Sequence, residues 1–197
     1  MNPGLFDLRQ YVGLILREAK LEQGTSRIDW TSAEALAHSL ITALGLKYVD
    51  PSNVTTNYSW QSGVGIPVGS IRRMKADVGD LDIISTVPIV KSTLVDIPGI
   101  SDITGGAKQI NFTYTSGTSR RKVNVFVFLD PNSFGAALMH TTGPAGYNVR
   151  IRRVAQSKNM VLSQNGLFDS TGKLLAGPTE AAVQAALKIS NREVQDR

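Results

Sequence analysis

Apolar residues recur at helical spacing in the first part of the chain. Residues 5–22 carry one at every third or fourth position, which predicts an amphipathic helix that ends at Gly24. A second helix is predicted to open at Thr31-Ser32-Ala33-Glu34, which has the form of a capping box, and to run to Gly45. Two helices are therefore expected ahead of the first long strand.

The middle of the chain alternates between apolar and polar residues, which is typical of strands. Residues 81–87, 109–115 and 122–129 each place apolar side chains on one face. The turn at residues 116–119 joins the last two strands into a hairpin. Residues 89–100 are predicted to form a short helix that a Pro-Gly pair ends.

Helical patterns return in the last third of the chain. Helices are predicted over residues 133–140, 145–158 and 179–189, with a small hairpin between the last two. We therefore predict an α+β fold with a mixed or antiparallel sheet. Residues 1–130 would form the larger lobe, which includes the N-terminal helices, and residues 131–197 a small, mostly helical lobe.

The composition is that of a globular protein. Of 197 residues, 42% are apolar and 19% are charged, which excludes a disordered or fibrous chain. No apolar run approaches the roughly 18 residues that a membrane span needs, and no basic stretch precedes an apolar segment at the N-terminus. The sequence therefore predicts an intracellular protein that is neither secreted nor held in a membrane.

The side chains that could bind a metal ion are limited to oxygen donors. The chain has no cysteine, which excludes disulfides, thiol catalysis, thiolate zinc sites and iron–sulfur clusters. His38 and His140 are the only histidines, too few for a multi-histidine site. Any bound metal ion would therefore be magnesium, manganese or calcium.

Basic residues outnumber acidic ones by 21 to 16, which gives a net charge of +5. They gather in three clusters, at residues 72–75, 120–122 and 150–153, and Lys158 follows the third. Clusters of this kind suit a partner that carries phosphate groups, such as a nucleotide or a nucleic acid. The alternative is an ordinary solvated basic surface, which would give the same net charge.

Two aspartates follow a glycine–serine pair at a short distance. Asp80 and Asp82 are two residues apart in a predicted strand, so both carboxylates would point to the same face. Converging carboxylates repel each other unless a cation lies between them, which predicts a divalent metal site. Upstream, Gly69 and Ser70 offer an N–H group and a hydroxyl to phosphate oxygens, and Arg73 offers a guanidinium. The alternative is an exposed edge strand with two solvated aspartates, which the upstream motif disfavours.

These residues resemble the motifs of a known family. Gly-Ser-x-Arg-Arg at 69–73, followed by Gly-Asp-x-Asp at 79–82, resembles the catalytic core of the nucleotidyltransferases that include DNA polymerase beta. Residues 142–153 and 162–168 resemble the thumb of family X DNA polymerases. The resemblance covers residues 31–197 and is greatest to the minimal palm-and-thumb polymerases of large DNA viruses. It implies that the first lobe is a palm and the second a thumb, without the N-terminal lyase domain of larger members.

The resemblance also implies roles for the matching residues. Asp80 and Asp82 match two metal-binding carboxylates, which hold two Mg²⁺ ions, with Mn²⁺ as a substitute. The matching nucleotide-binding positions are Gly69, Ser70, Arg73, Gly79, His140, Thr142, Gly143 and Asn148. The DNA-binding candidates are Lys122, Arg150, Arg152, Arg153 and Lys158. Helical spacing independently places Asn148 and Arg152 on one face.

A template-directed DNA polymerase is the function that the resemblance implies. It would add a deoxynucleotide, supplied as the triphosphate, to the 3′-hydroxyl of a primer in gapped or nicked DNA. We expect a monomer that acts in repair or viral replication, in the cytoplasm, nucleus or virion. The alternatives are a non-templated nucleotidyltransferase of the terminal transferase type and a catalytically dead protein that binds nucleic acid.

Two residues depart from the family's pattern. Where the family has a third metal-binding aspartate, on the strand beside Asp82, this chain has Asn124. An asparagine brings no charge and cannot accept a proton, so we expect a slower or inactive enzyme. The change is either natural or engineered, and the otherwise intact motifs favour the second. Thr141 stands where many members have an aromatic residue that checks the 2′ position of the sugar, which leaves discrimination against ribonucleotides open.

Overall fold

The computed structural model of the chain describes residues 27–190 and 192–197. The helix predicted over residues 5–22 lies outside the described residues. Eleven strands occur in the described residues, eight of them in the larger lobe. In chain order these eight are β1 (Ile28–Asp29), β2 (Lys47–Tyr48), β3 (Val64–Pro67), β4 (Asp77–Val78), β5 (Leu81–Ser85), β6 (Ile100–Gly106), β7 (Gln109–Ser116) and β8 (Ser119–Val127).

Six of these strands form one mixed sheet in the order β2-β3-β5-β8-β7-β6. β7 and β8 are the predicted antiparallel hairpin, and β5 pairs with β8 in parallel. β1 and β4 form a separate antiparallel pair. The α+β fold class with a mixed sheet is therefore confirmed.

Helix α1 (Trp30–Ala43) covers one face of the six-stranded sheet. Its buried side chains, including Leu40 and Ile41, pack against Leu81 of β5 and Val123 of β8. The helix begins one residue before the predicted capping box, because the side chain of Asp29 accepts a hydrogen bond of 2.9 Å from the backbone N–H of Ser32. The capping residue is thus Asp29, and the prediction that the helix opens at Thr31 is corrected.

Two short helices interrupt the strands of the larger lobe, α2 (Gly69–Arg72) and α3 (Lys91–Val95). α3 is shorter than the helix predicted over residues 89–100, and β6 begins at Ile100. The sequence analysis missed β6, which owes its strand structure to pairing with β7. Its two glycines and its polar residues give it no strand pattern of its own.

The smaller lobe combines three helices with a three-stranded antiparallel sheet. The helices are α4 (Phe134–Thr142), α5 (Ala145–Ser157) and α6 (Glu180–Ala186). The strands are β9 (Val161–Ser163), β10 (Gly166–Phe168) and β11 (Leu174–Ala176), in the order β11-β10-β9. α6 is shorter than the predicted helix over 179–189, with Thr179 as its capping residue.

Helix α4 belongs to the apolar cores of both lobes. Phe134 and Leu138 pack with Ile84 on the face of the six-stranded sheet opposite α1. From the other side of the same helix, Ala136 and Met139 contribute to the core of the smaller lobe. This helix therefore links the two sheets. Among the residues that the structure describes, no helix is both long enough and apolar enough to cross a bilayer.

Candidate active site

Asp82 and Asn124 lie side by side on the sheet face that α4 only partly covers. The parallel register of β5 and β8 puts the two residues opposite each other. The Nδ2 of Asn124 donates a hydrogen bond of 2.8 Å to Oδ1 of Asp82. Leu81 and Ile83 are fully buried on the other face, as the alternation predicts. The third position of the expected acidic set is thus occupied by an amide that contacts one of the acids.

Asp80 precedes the strand rather than lying within it. β5 begins at Leu81, so Asp82 lies in the strand and Asp80 lies just before it. Strand alternation therefore fixes the face of Asp82 but not that of Asp80. Both residues are partly exposed, but Oδ1 of Asp80 is buried. Their convergence on one metal ion stays a prediction.

The Gly69-Ser70 turn lies directly against Asp82. Gly69 has φ = +56°, and a Cβ at this residue would lie 2.3 Å from Oδ2 of Asp82. The backbone N–H of Val68 donates to the carbonyl of Asp82 over 2.8 Å. Only glycine allows both this backbone conformation and this approach. The structure therefore brings the predicted phosphate-binding turn and the predicted metal ligand together.

Arg73 connects this turn to the smaller lobe. Its Nη2 donates to Oγ of Ser70 over 3.3 Å, and its Nη1 donates to the carbonyl of Thr142. A Cβ on Gly143 would lie 3.4 Å from the same Nη1. Ser70, Arg73, Thr142 and Gly143 are thus neighbours in the structure. A Cβ on Gly79 would meet only Nη1 of Arg27, at 3.9 Å, so the structure does not bring Gly79 into this group.

Arg72 is a buried residue, which corrects its assignment to a cationic surface cluster. It is 1% exposed, and its Nη1 and Nη2 donate to the two carboxylate oxygens of Glu180 over 3.0 and 2.7 Å. Nη1 also donates to Oγ1 of Thr142 over 2.7 Å, and Nη2 to the carbonyl of Val54 over 2.9 Å. The guanidinium therefore has partners in both lobes and does not face a ligand.

Glu180 compensates two buried arginines at once. Arg197 donates to its two carboxylate oxygens over 2.8 and 3.1 Å. Burial by itself would raise the pKa of Glu180, but the charges of Arg72 and Arg197 outweigh it and hold the pKa below its usual value. The sequence analysis missed Glu180. An acidic residue directly after a helix cap, in an alanine-rich apolar helix, was the signal that could have marked it.

The second basic cluster, residues 120–122, does not form one exposed patch in the structure. Arg121 is 3% exposed and lies on the face of β8 that points into the core. Arg120 forms an exposed ion pair of 3.2 Å with Asp102. Lys122 is partly exposed and shares the face of Asn124. Lys122 alone therefore keeps the position expected of a phosphate-binding residue.

His140 contacts Asn148 and Arg152, which helical spacing places on one face of α5. Nδ2 of Asn148 donates to its carbonyl over 2.8 Å, and Nη2 of Arg152 lies 2.9 Å from its Nδ1. Burial, together with the charge of Arg152, lowers the pKa of His140 to about 4. The imidazole is therefore neutral near pH 7, with Nδ1 as the acceptor.

The remaining cations of α5 point in different directions. Arg150 and Arg153 are exposed, and the Arg150 guanidinium lies 5.4 Å from the centroid of the Tyr147 ring. Lys158 follows the helix, and its Nζ donates to the carbonyl of Leu187 over 2.5 Å. Arg150 and Arg153 therefore form the solvent-facing part of the predicted DNA-binding set, and Lys158 supports the end of α6.

Asp80 and Asp82 are the two acidic residues of the predicted metal site. Aspartate carboxylates are the ligand type that Mg²⁺ takes together with substrate phosphates. Among residues 27–190 and 192–197, no group of three or more His, Cys, Asp or Glu side chains could hold a metal ion. Asn124 accounts for the missing acid beside Asp82.

The chain is similar in sequence to known proteins. Residues 137–197 match the DNA polymerase beta thumb family. The chain is 30% identical over 115 residues to Repair DNA polymerase X of African swine fever virus, covering 52% of this chain and 63% of that protein. It is 27% identical over 161 residues to rat DNA polymerase lambda, covering 67% of this chain and 28% of that protein. The chain thus spans less than two thirds of the length of these curated relatives.

A solved structure shows the same fold. The ternary complex of polymerase beta from Leishmania infantum superposes with a TM-score of 0.69 at 15% identity, covering 87% of this chain and 77% of that one. Residues 137–197 thus match a polymerase thumb family, and the chain as a whole is similar to Repair DNA polymerase X and to DNA polymerase lambda.

Proposed function

We propose that the chain adds a deoxynucleotide to the 3′-hydroxyl of a primer, directed by a template, in gapped or nicked DNA. In this reaction the hydroxyl oxygen attacks the α-phosphorus of a deoxynucleoside triphosphate, and pyrophosphate leaves. The observation that carries the proposal is the contact between the Gly69-Ser70 turn and Asp82, with the thumb residues Thr142 and Gly143 beside it. Such an arrangement places a phosphate-binding turn next to an acid that can hold a cation.

Gly69, Ser70 and Arg73 are the residues we propose for binding the β- and γ-phosphates. The Ser70 hydroxyl and the Arg73 guanidinium already lie within 3.3 Å of each other, so both can donate to one phosphate group. Gly79 would contribute only through its backbone. His140 and Asn148, which are held together across α4 and α5, would border the nucleotide, with Thr142 and Gly143 next to its sugar.

Asp80 and Asp82 are the proposed ligands of the magnesium ion, and manganese would substitute for it. A divalent ion at these carboxylates would neutralise charge on the triphosphate and the leaving pyrophosphate. Asn124 adds a neutral oxygen at most, so a second ion would be held weakly. The amide also cannot take the proton of the primer hydroxyl, which predicts a slow chemical step in this chain.

DNA would lie along the exposed cations of both lobes. Arg150, Arg153 and Lys122 are solvent-accessible and suit contacts with phosphates, whereas Arg152, beside His140, suits a position near the templating base. Binding should weaken with salt, by about 0.9 log unit per log unit of salt for each phosphate contacted. We propose a palm over residues 1–130 and a thumb over 131–197, in a monomeric intracellular protein.

Primer extension on a one-nucleotide gap tests the proposal. We expect incorporation of the nucleotide complementary to the template, faster with Mn²⁺ or Mg²⁺ than with EDTA, and no extension of a single-stranded primer. Extension without a template would instead support a terminal transferase. The contact of Asn124 with Asp82 favours a second candidate, a DNA-binding protein without catalysis. Binding of gapped DNA with no extension by this chain or by an Asn124→Asp variant would establish it.

A further inference from the structure

Both carboxylate oxygens of Asp82 have close neighbours within the protein. Oδ1 accepts a hydrogen bond of 2.8 Å from Nδ2 of Asn124. Oδ2 lies against the Gly69 turn, 2.3 Å from the position that a Cβ on Gly69 would occupy. The backbone of Asp82 is held as well, since its carbonyl accepts from the N–H of Val68 over 2.8 Å. The Asn124 amide therefore covers the side of Oδ1, and the Gly69 turn covers the side of Oδ2.

The amide of Asn124 has the orientation that a carboxylate favours and a cation does not. Its Nδ2 carries two N–H donors, whereas its Oδ1 is the atom that could bind a metal ion. An ion between Asp82 and Asn124 would face the N–H groups, whose hydrogens carry partial positive charge. One side of an amide can satisfy either a carboxylate or an ion. Ion binding between these two residues therefore requires the amide to rotate.

The backbone of Asn124 is held by the sheet. β8 pairs with β5 on one side and with β7 on the other. The flanking residues Val123 and Val125 are fully buried on the opposite face. A shift of the strand would break both pairings and disturb these contacts, whereas a rotation of the amide leaves them unchanged. The change that an ion requires is therefore confined to the side chain of Asn124.

We propose that the Asn124 amide blocks ion binding at Asp82 and rotates by about 180° when a divalent ion binds there. In the ion-free chain the amide removes the repulsion that two facing carboxylates would have at this register. The chain therefore keeps these side chains together without a metal ion, and its affinity for the ion is lower. The inference rests on the proposed function, which assigns a magnesium ion to Asp80 and Asp82.

The side-chain amide signals of a heteronuclear NMR spectrum test the rotation in the unchanged chain. Without an ion, we expect one N–H of Asn124 to exchange slowly with solvent, because it is bonded to a carboxylate, and to exchange faster once calorimetry shows saturation with Mg²⁺. Asn111, opposite Asn124 on β7, is the internal control, since its signals should change little. An Asn124 amide that stays protected at saturation would overturn the proposal.

The affinity for Mn²⁺ alone, measured by electron paramagnetic resonance, tests the block itself. Asn124→Ala should bind Mn²⁺ about tenfold more tightly than the unchanged chain, because it removes a hydrogen bond to a charged group. Asn111→Ala removes an amide one strand farther away, so its affinity should equal that of the unchanged chain. Equal binding by Asn124→Ala and the unchanged chain would make Asn124 a bystander, and weaker binding would make it a ligand. Either result would overturn the block alone.

Asp82→Asn separates the block from the proposed function. Combined with Asn124→Ala, it should abolish the tight binding of Mn²⁺, because the carboxylate that the amide covers is then missing. Mn²⁺ binding that does not depend on Asp82, in the unchanged chain and in Asn124→Ala alike, would overturn the magnesium site of the proposed function together with the block.

Discussion

Asn124 and Asp82 face each other across two parallel strands, joined by a hydrogen bond of 2.8 Å from the amide to the carboxylate. Replacing this amide by a carboxylate would restore a negative metal ligand and a group that can accept a proton. We therefore predict that Asn124→Asp raises the rate of primer extension by at least about a hundredfold. Single-turnover extension on a one-nucleotide gap measures this rate for the unchanged chain and for the variant.

Asn111 provides the control for this change. It lies opposite Asn124 on β7, one strand farther from Asp82. Asn111→Asp adds the same charge to the same sheet, but not next to Asp82, so no comparable gain is expected. Equal rates for the unchanged chain and Asn124→Asp would rule out Asn124 as the third ligand position.

Gly69→Ala should abolish magnesium-dependent binding of a deoxynucleoside triphosphate. The added Cβ would meet Oδ2 of Asp82 at 2.3 Å, so either the turn or the carboxylate must move. Isothermal titration calorimetry measures the binding. Gly63→Ala is the matched control, because Gly63 also has a positive φ, of +75°, but nothing within 4 Å of an added Cβ. If both variants lose binding equally, backbone strain rather than the contact with Asp82 is responsible.

Glu180→Gln should destabilise the protein by about 3–5 kcal/mol, since it leaves Arg72 and Arg197 without a counter-charge in a site that water does not reach. The free energy of unfolding in guanidinium chloride gives the value. Asp102→Asn breaks the exposed pair with Arg120 and should cost much less, because solvent screens this pair. Similar losses of stability in the two variants would show that burial does not strengthen the ion pairs of Glu180 with Arg72 and Arg197.

Stability should fall as the pH drops from 7 to 5. The pKa of His140 is about 4 in the folded chain and about 6.5 when unfolded. The unfolded state therefore binds the proton first, so the stabilisation is complete above pH 6.5 and is lost as the pH falls toward 4. The loss between pH 7 and pH 5 should be about 2 kcal/mol.

Urea unfolding at the two pH values measures this loss. His140→Gln should remove most of the difference between them. Arg152→Gln should reduce the difference in stability between the two pH values. The charge of Arg152 is the second cause of the lowered pKa of His140, and burial is the first. A difference that is unchanged in His140→Gln would assign the pH dependence to other groups.

Much of the sheet could be predicted because β5, β7 and β8 contain apolar residues at alternating positions, which mark the buried face. In β8, Val123 and Val125 alternate with Lys122 and Asn124, and the structure buries the first pair and partly exposes the second. β6 has no such alternation of apolar and polar residues. Its strand structure comes from its partner, so no local pattern identified it.

The site could be predicted only where neighbouring residues in sequence also meet in space. Gly69, Ser70 and Arg73 belong to one turn, and its approach to Asp82 follows from the pairing of β3 with β5. Arg72 was assigned to the surface because its partner, Glu180, lies 108 residues away in sequence. Nothing local separates the buried Arg72 from the partly exposed Arg73.

The parallel pairing of β5 with β8 also sets the order in which the protein can fold. β6, β7 and β8 are joined by short turns and can pair as a meander, whereas Asp82 and Asn124 are 42 residues apart and meet only when β5 docks. Closing this longer loop is the slower event. We expect the contact between Asp82 and Asn124 to form only in a late phase of refolding, after the hairpin amides are protected from hydrogen exchange. An intermediate with a protected hairpin alone would therefore lack this contact.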